Sequence, residues 1–292
     1  RTGPTRTTVS SFLSSLLARR AVEPLPWLAG LLLVGGLAAA ATPFVFMKLT
    51  DSLQILAIRD TWPNYVALIF RKGFLALGLP GLLLGMVFPF LMKAEERQLV
   101  APGISLGRLA SLNTVGAIVG SLACGFVFLD VFGMWRTTQL LAAAYLIVAV
   151  LLPLGREPRG WALRGAGVVL LALAFTVLDP TDLPITSIDP ERRADETILE
   201  TWEGSYGTVA VTRGQQGLTI KMNSHYGLGA TGAARQEQLQ NDIPLMVYPR
   251  TESIFFLGLG TGISAGGALD PQFEHVKRIV ACELVPEVVV SG

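Results

Sequence analysis

Long apolar runs separated by short polar segments fill the first two-thirds of the chain. The five runs are residues 25–47, 73–92, 104–129, 135–154 and 161–178. Each is close to the roughly 20 residues that a helix needs to cross about 30 Å of hydrocarbon. The pattern predicts a multi-pass α-helical membrane domain over residues 25–178. Before it, residues 1–24 set apolar side chains against serine and arginine, which predicts an amphipathic segment in the membrane interface or the end of a preceding helix.

The third run reads GRLASLNTVGAIVGSLACGF and contains Gly116 and Gly120. Small residues four positions apart let helix backbones approach closely in a bilayer. This face is therefore predicted to contact other helices, including those of other membrane subunits; the alternative is that small residues are simply common in membrane helices. Asn113 on the same helix is expected to bond to a neighbouring helix or face a cavity. No run carries a central ionisable pair, so solute transport is the least supported function.

The composition changes abruptly after Leu178. Prolines and charges in residues 179–198 predict an extended linker. In the following region, residues 199–250, the β-rich runs 206–212 and 217–223 flank Gly-Gln-Gln-Gly and predict a hairpin. A helix is expected within residues 233–248, ending near Pro244.

Residues 251–292 carry the clearest candidate chemistry. FFLGLGTGISAGGAL, followed by VKRIVACEL, reads as strand, glycine turn, helix and second strand. This order predicts the first part of an α/β Rossmann-like sheet. Gly258, Gly260 and Gly262 permit positive φ and close approach of a ligand, and Glu283 stands where such sheets place the carboxylate that binds ribose hydroxyls. The alternative is a structural turn that binds nothing.

The amino-acid composition argues against several classes of function. Hydrophobic residues make up 51% of the 292 residues and charged residues 15%, against about 25% charged in soluble domains. The net charge of +1 offers no basic field for nucleic acid. Cys124, Cys282, His225 and His275 are too few and too scattered for a disulfide framework, and no metal site is predicted.

The position relative to the membrane is left open by two conflicting signals. Lysine and arginine are more frequent in the loops on the side of residue 1, which predicts a cytoplasmic N-terminus and an external C-terminal part. A domain that binds a nucleotide cofactor is instead expected on the cytoplasmic side of the membrane. The membrane is predicted to be a bacterial cytoplasmic membrane. The chain begins with Arg1 rather than Met and stops just after a strand, so a longer gene product is expected.

Three blocks of residues resemble the membrane-anchored branch of the spermidine synthase (aminopropyltransferase) family. SLNTVGAIVGSLACGF is similar to a helix of its membrane half. SYGTVAV and MNSHYGLG look like its N-terminal β-hairpin region. FLGLGTGISAGGAL with ACELVPEVV resembles its cofactor-binding turn and acidic strand end.

The resemblance implies a site for decarboxylated S-adenosylmethionine, or S-adenosylmethionine, formed by Gly258, Gly260, Thr261, Gly262 and Glu283. It implies transfer of an aminopropyl group to a polyamine. Thr261 replaces the aspartate of the soluble enzymes, Gly227 replaces a glutamine, and RQEQLQNDIP lacks the tyrosine and histidine of a helix motif. The acids that activate the acceptor amine follow beyond Gly292 in that family.

These departures leave a second hypothesis, a catalytically degenerate accessory subunit of a larger membrane complex. No catalytic residue is assigned. His225 and Tyr226, after the hairpin, either border the cofactor pocket or form a polar loop tip. Glu237 and Asp242 are interpreted as a solvated helix face rather than as catalytic acids.

Overall fold

The computed structural model describes residues 24–54, 61–96, 102–188 and 195–292. Two compact units divide them, one within residues 1–50 and 56–183 and the other within residues 51–55 and 184–292. The amphipathic segment predicted before Pro24 lies outside the described residues.

The first unit is helical throughout its described elements. Its helices are α1 (Pro24–Leu49), α2 (Trp62–Glu96), α3 (Pro102–Ala123), α4 (Leu129–Leu151) and α5 (Pro158–Thr176), with one π-helical turn at Cys124–Phe128 between α3 and α4. Within the residues that the structure describes, four continuous helical stretches are long and apolar enough to cross a membrane: Pro24–Leu49, Trp62–Met92, Leu106–Leu151 and Pro158–Thr176.

The stretch Leu106–Leu151 contains two of the five predicted runs and is broken at Gly133. Its 46 residues would form a straight helix of about 69 Å, more than twice the thickness of the hydrocarbon. Gly133 instead has φ 73° and ψ 177°, which only glycine adopts readily. The Thr137 hydroxyl donates to the Phe128 carbonyl at 2.9 Å, although nine residues of straight helix span about 13.5 Å. The chain therefore changes direction here.

Close packing of α1 against its neighbours forms the core of the first unit. Leu28, Leu32 and Leu33 of α1 are buried with Leu146 of α4, and α1 contacts α2, α4 and α5. A Cβ at Gly36 would lie 2.9 Å from Leu146 Cδ2. Because the Leu146 side chain is fully buried, it has little room to move away, and the close approach of α1 and α4 depends on glycine at position 36.

Replacement of Gly36 by leucine is therefore expected to lower the free energy of unfolding of the first unit by about 1–3 kcal/mol through overpacking. Gly30→Leu on the same helix is the matched control, because nothing lies within 4 Å of a Cβ there. The control is expected to be neutral or stabilised by about 1 kcal/mol, the gain in helix propensity. Melting temperatures in one detergent compare the two variants, and equal shifts would contradict the packing argument.

A tight turn after α1 belongs to the second unit. Asp51, Ser52 and Leu53 have φ of 50°, 60° and 65°, and each left-handed non-glycine residue costs about 1–2 kcal/mol. Hydrogen bonds offset this cost. The Ser187 hydroxyl donates to the Leu53 carbonyl at 2.8 Å, and Gln54 Nε2 donates to the Ile188 carbonyl at 3.2 Å.

A four-stranded antiparallel sheet opens the rest of this unit. Its strands β1 (Thr197–Gly204), β2 (Gly207–Gly214), β3 (Gly217–Met222) and β4 (Tyr226–Ala230) are ordered β1-β2-β3-β4. The β2–β3 pair confirms the predicted hairpin, with Gly214 opposite Gly217 across a two-residue turn. β1 begins within the segment predicted as linker.

One face of this sheet packs against α8 (Pro286–Ser291). Val209 and Ile220 of the sheet are buried with Val285 and Val288, so the chain that follows Glu283 is held by apolar contacts. Elsewhere in the sheet, the Lys221 ammonium forms an ion pair with the Glu196 carboxylate, and both side chains are more than nine-tenths buried.

The remaining elements are α6 (Ala234–Val247), β5 (Ser253–Leu257), α7 (Ile263–Gly267) and β6 (Arg278–Cys282). α6 continues through Pro244 rather than ending there, because Tyr248 N still donates to the Pro244 carbonyl at 2.9 Å. β5 and β6 pair in parallel, from Ser253–Arg278 to Leu257–Cys282. The predicted strand–turn–helix–strand order is present, and assignment of the pair to a Rossmann-like sheet stays a prediction.

Candidate functional site

The glycine turn follows β5 at the carboxyl end of the parallel pair. Gly258, Gly260 and Gly262 have φ of 97°, 56° and 74°, so all three occupy the region that favours glycine. Gly258 N donates to the Cys282 carbonyl at 2.8 Å, which continues the ladder of the sheet into the turn. A Cβ at Gly258 would meet nothing within 4 Å. A ligand can therefore approach the backbone at this point, as an adenosine-binding turn requires.

Glu283, at the end of β6, lies directly against the turn, and its role in binding ribose stays a prediction. Its Oε2 accepts hydrogen bonds from Leu259 N at 2.8 Å and Gly260 N at 3.2 Å. Its Oε1 accepts from Leu284 N at 2.8 Å and Val285 N at 3.1 Å. The carboxylate thus fastens the glycine turn to the chain that leads into α8.

These four donors determine the charge state of Glu283. Burial by itself raises the pKa of this carboxyl, but the backbone N–H groups of Val285, Leu259, Gly260 and Leu284 outweigh it and lower the pKa. Glu283 is therefore an anion at neutral pH. A carboxylate has about four lone-pair positions, so a ribose hydroxyl that donates to Glu283 has to share or replace one of the turn amides.

Because the folded-state pKa of Glu283 is depressed, its stabilising contribution is present above the unfolded pKa, ~4.3 for glutamate. The contribution is lost as pH falls from that value through the folded-state pKa. We expect the wild-type chain to lose melting temperature more steeply than Glu283→Gln between pH 5 and pH 3. Thermal melts of both chains over this range measure the difference, and parallel curves would contradict the assigned pKa shift.

Thr261 lies within the same turn and is paired with Glu237 of α6. The Thr261 hydroxyl donates to Glu237 Oε2 at 2.6 Å, and Ala230 N donates to Glu237 Oε1 at 2.9 Å. The interpretation of Glu237 as a solvated helix face is therefore wrong, since its side chain is half-buried and joins β4 to the turn.

The second half of β4 is the part that approaches the turn. A Cβ at Gly260 would lie 3.6 Å from the Leu228 carbonyl, and one at Gly229 would lie 2.7 Å from Thr261 Cγ2. Tyr226 begins β4 opposite Met222 and is largely exposed. A role for His225 and Tyr226 at the cofactor pocket stays a prediction.

The other candidate residues contribute nothing to this cluster. The Asp242 carboxylate contacts Asn241 Nδ2 at 3.4 Å on α6 itself. Among the residues that the structure describes, no three His, Cys, Asp or Glu side chains come together as metal ligands. Gly116 and Gly120 have nothing within 4 Å of a Cβ position, so no described part of this chain packs on them.

α/β sheets that bind dinucleotides have a glycine-rich turn after the first strand and an acidic residue at the end of the second strand. The chain is 29% identical to the polyamine aminopropyltransferase of Mycobacterium tuberculosis, over 95% of this chain and 51% of the relative. It is 28% identical to that of Corynebacterium efficiens, over 88% and 47%. With that of Leptospira interrogans it shares 26% identity, over 72% and 42%.

These similarities support a spermidine synthase-like family for the chain. The chain spans about half the length of the curated relatives it matches. No family model matches it, and no solved structure matches it either.

Proposed function

We propose that the chain is part of an integral membrane aminopropyltransferase that binds decarboxylated S-adenosylmethionine at the glycine turn and acts on a polyamine. The observation that carries this proposal is the Glu283 carboxylate bonded to the amides of Leu259 and Gly260. The names of the relatives, all polyamine aminopropyltransferases, support the substrate class.

The turn fits an adenosine ligand in shape and in charge. The open space beside Gly258 admits a ligand to the backbone, and the anionic Glu283 can accept from a ribose hydroxyl that shares or replaces one of its four backbone donors. When bound, the cofactor supplies a carbon activated by the adjacent sulfonium. The turn and Glu283 fix the adenosine end, which restricts the approach of an acceptor amine to one direction.

The five helices of the first unit are proposed to span a bacterial cytoplasmic membrane. Support comes from α3, whose apolar side chains at Leu112, Val119 and Leu122 are each more than half exposed. Such a surface is unfavourable in water and is suited to lipid. The packing of another subunit's helix on Gly116 and Gly120 is likewise a proposal, which the open space beside both glycines permits.

Isothermal titration calorimetry on the full-length membrane protein in detergent micelles tests the cofactor assignment. We expect saturable binding of decarboxylated S-adenosylmethionine and weaker binding of S-adenosylmethionine. Absence of binding to both S-adenosyl compounds would overturn the proposal.

A further inference from the structure

Glu237 stands at the junction of three elements around the glycine turn. Its carboxylate bonds to Ala230 N of β4 and to the Thr261 hydroxyl of the turn. Its own carbonyl accepts from the Ser264 hydroxyl of α7 at 2.7 Å. The first turn of α6 is thus joined to the glycine turn through the Glu237 side chain and to α7 through the Glu237 carbonyl.

The carboxylate is held tightly against β4. A Cβ at Gly229 would lie 2.5 Å from Glu237 Oε1 and 2.7 Å from Oε2, so this approach depends on glycine at position 229. Glu237 forms no ion pair with any lysine, arginine or histidine among the described residues. No lysine, arginine or histidine nitrogen of the described chain therefore lies within 4.0 Å of the Glu237 carboxylate oxygens.

Glu237 and Glu283 bind consecutive residues of the turn from two separate elements. Glu283 takes the amides of Leu259 and Gly260, and Glu237 takes the hydroxyl of Thr261. Glu283 already accepts four hydrogen bonds, whereas the Glu237 carboxylate accepts two of the roughly four that a carboxylate can take. Of the two anions, Glu237 has the greater remaining capacity for a positively charged donor.

We infer that Glu237 recognises the cationic chain of the S-adenosyl ligand and gives the site its preference for the decarboxylated form. This inference rests on the proposed function. Decarboxylated S-adenosylmethionine carries a sulfonium and an ammonium and no carboxylate. S-adenosylmethionine adds a carboxylate, which the Glu237 carboxylate beside Thr261 repels. Glu237 is a specificity-determining residue in this assignment and takes no part in bond breaking.

The test compares three probes on full-length wild type and Glu237→Gln by calorimetry: decarboxylated S-adenosylmethionine, S-adenosylmethionine and methylthioadenosine. The last has the same adenosine and sulfur but no charge on the chain. The glutamine keeps an oxygen that can accept from Ala230 N or Thr261, so the turn is expected to stay folded. Glu200→Gln, which removes an exposed carboxylate on β1, is the matched control.

We expect Glu237→Gln to weaken decarboxylated S-adenosylmethionine about tenfold, as for a lost hydrogen bond to a charged group, and to change methylthioadenosine by about twofold or less. S-adenosylmethionine should bind the variant as well as wild type or better, and Glu200→Gln should leave all three affinities unchanged.

Two results would overturn the inference while leaving the proposed function intact. One is an equal loss for all three ligands, which would assign Glu237 to holding the turn in shape. The other is an unchanged preference for the decarboxylated ligand. A wild-type chain that binds none of the three probes would instead overturn the proposed function, and the inference with it.

Discussion

Replacement of Glu283 by alanine is expected to lower the affinity for any adenosine-type ligand by about 100-fold or more, because hydrogen bonds to a charged group contribute about 1.5–3 kcal/mol each. The variant loses the acceptor for ribose hydroxyls. It also releases the amides of Leu259 and Gly260, which the carboxylate now holds in the turn. Both changes reduce binding. Calorimetry with methylthioadenosine measures the loss of affinity, because this ligand has the adenosine but lacks the charged groups of the S-adenosyl compounds.

Two further variants separate the roles of the Glu283 carboxylate. Glu274→Ala removes an exposed carboxylate from the connection between α7 and β6 and is expected to bind like wild type. Glu283→Gln keeps one acceptor oxygen but presents an amide group toward backbone donors, so it should bind more weakly than wild type. Wild-type affinity in Glu283→Ala would show that the turn binds its ligand without this residue, against the proposed function.

Replacement of Lys221 by methionine is expected to destabilise the antiparallel sheet by about 3–5 kcal/mol, because it removes the ammonium of a buried ion pair. The Thr212 hydroxyl also donates to Glu196 Oε1 and is retained in the variant. Hydrogen exchange of the β2 and β3 amides in the full chain, resolved by mass spectrometry, measures the free energy of opening locally.

Two further variants test whether the buried charge causes the loss of stability in Lys221→Met. Lys221→Met combined with Glu196→Gln removes both charges while keeping an acceptor for Thr212, so it should recover most of the lost stability. Lys277→Met breaks the ion pair with Glu252, whose side chains are 70% and 67% exposed, and should cost less than about 1 kcal/mol. Equal losses in Lys221→Met and Lys277→Met would contradict the argument.

The helices of the first unit could be predicted from the apolar runs because each run is long relative to a helical turn. The break at Gly133 could not, since glycine is common in membrane helices and its φ depends on the chain around it. The bond between Thr137 and the Phe128 carbonyl exists only after the chain has changed direction. The positions of apolar residues carry no signal for that change.

The residues of the candidate site also include one that could be predicted from the sequence and one that could not. Glu283 could be predicted because the distance from a glycine turn to the end of the next strand is set by one helical connection. Glu237 could not, because its contact with Thr261 requires α6 to pack beside the turn. The mostly polar segment ARQEQLQND is typical of a solvent-exposed helix and gives no indication of this packing.

If the helices of the first unit span a bilayer, as proposed, the left-handed turn at Asp51–Leu53 limits how many times the chain crosses it. Hydrogen-bonded groups cannot lie on opposite faces of a membrane, so the bonds of Leu53 and Gln54 to residues 187 and 188 require an even number of crossings between them. Counting Leu106–Leu151 as one crossing gives three. Separating α3 from α4 at Gly133 gives four, so the break at Gly133 is what makes the number of crossings even.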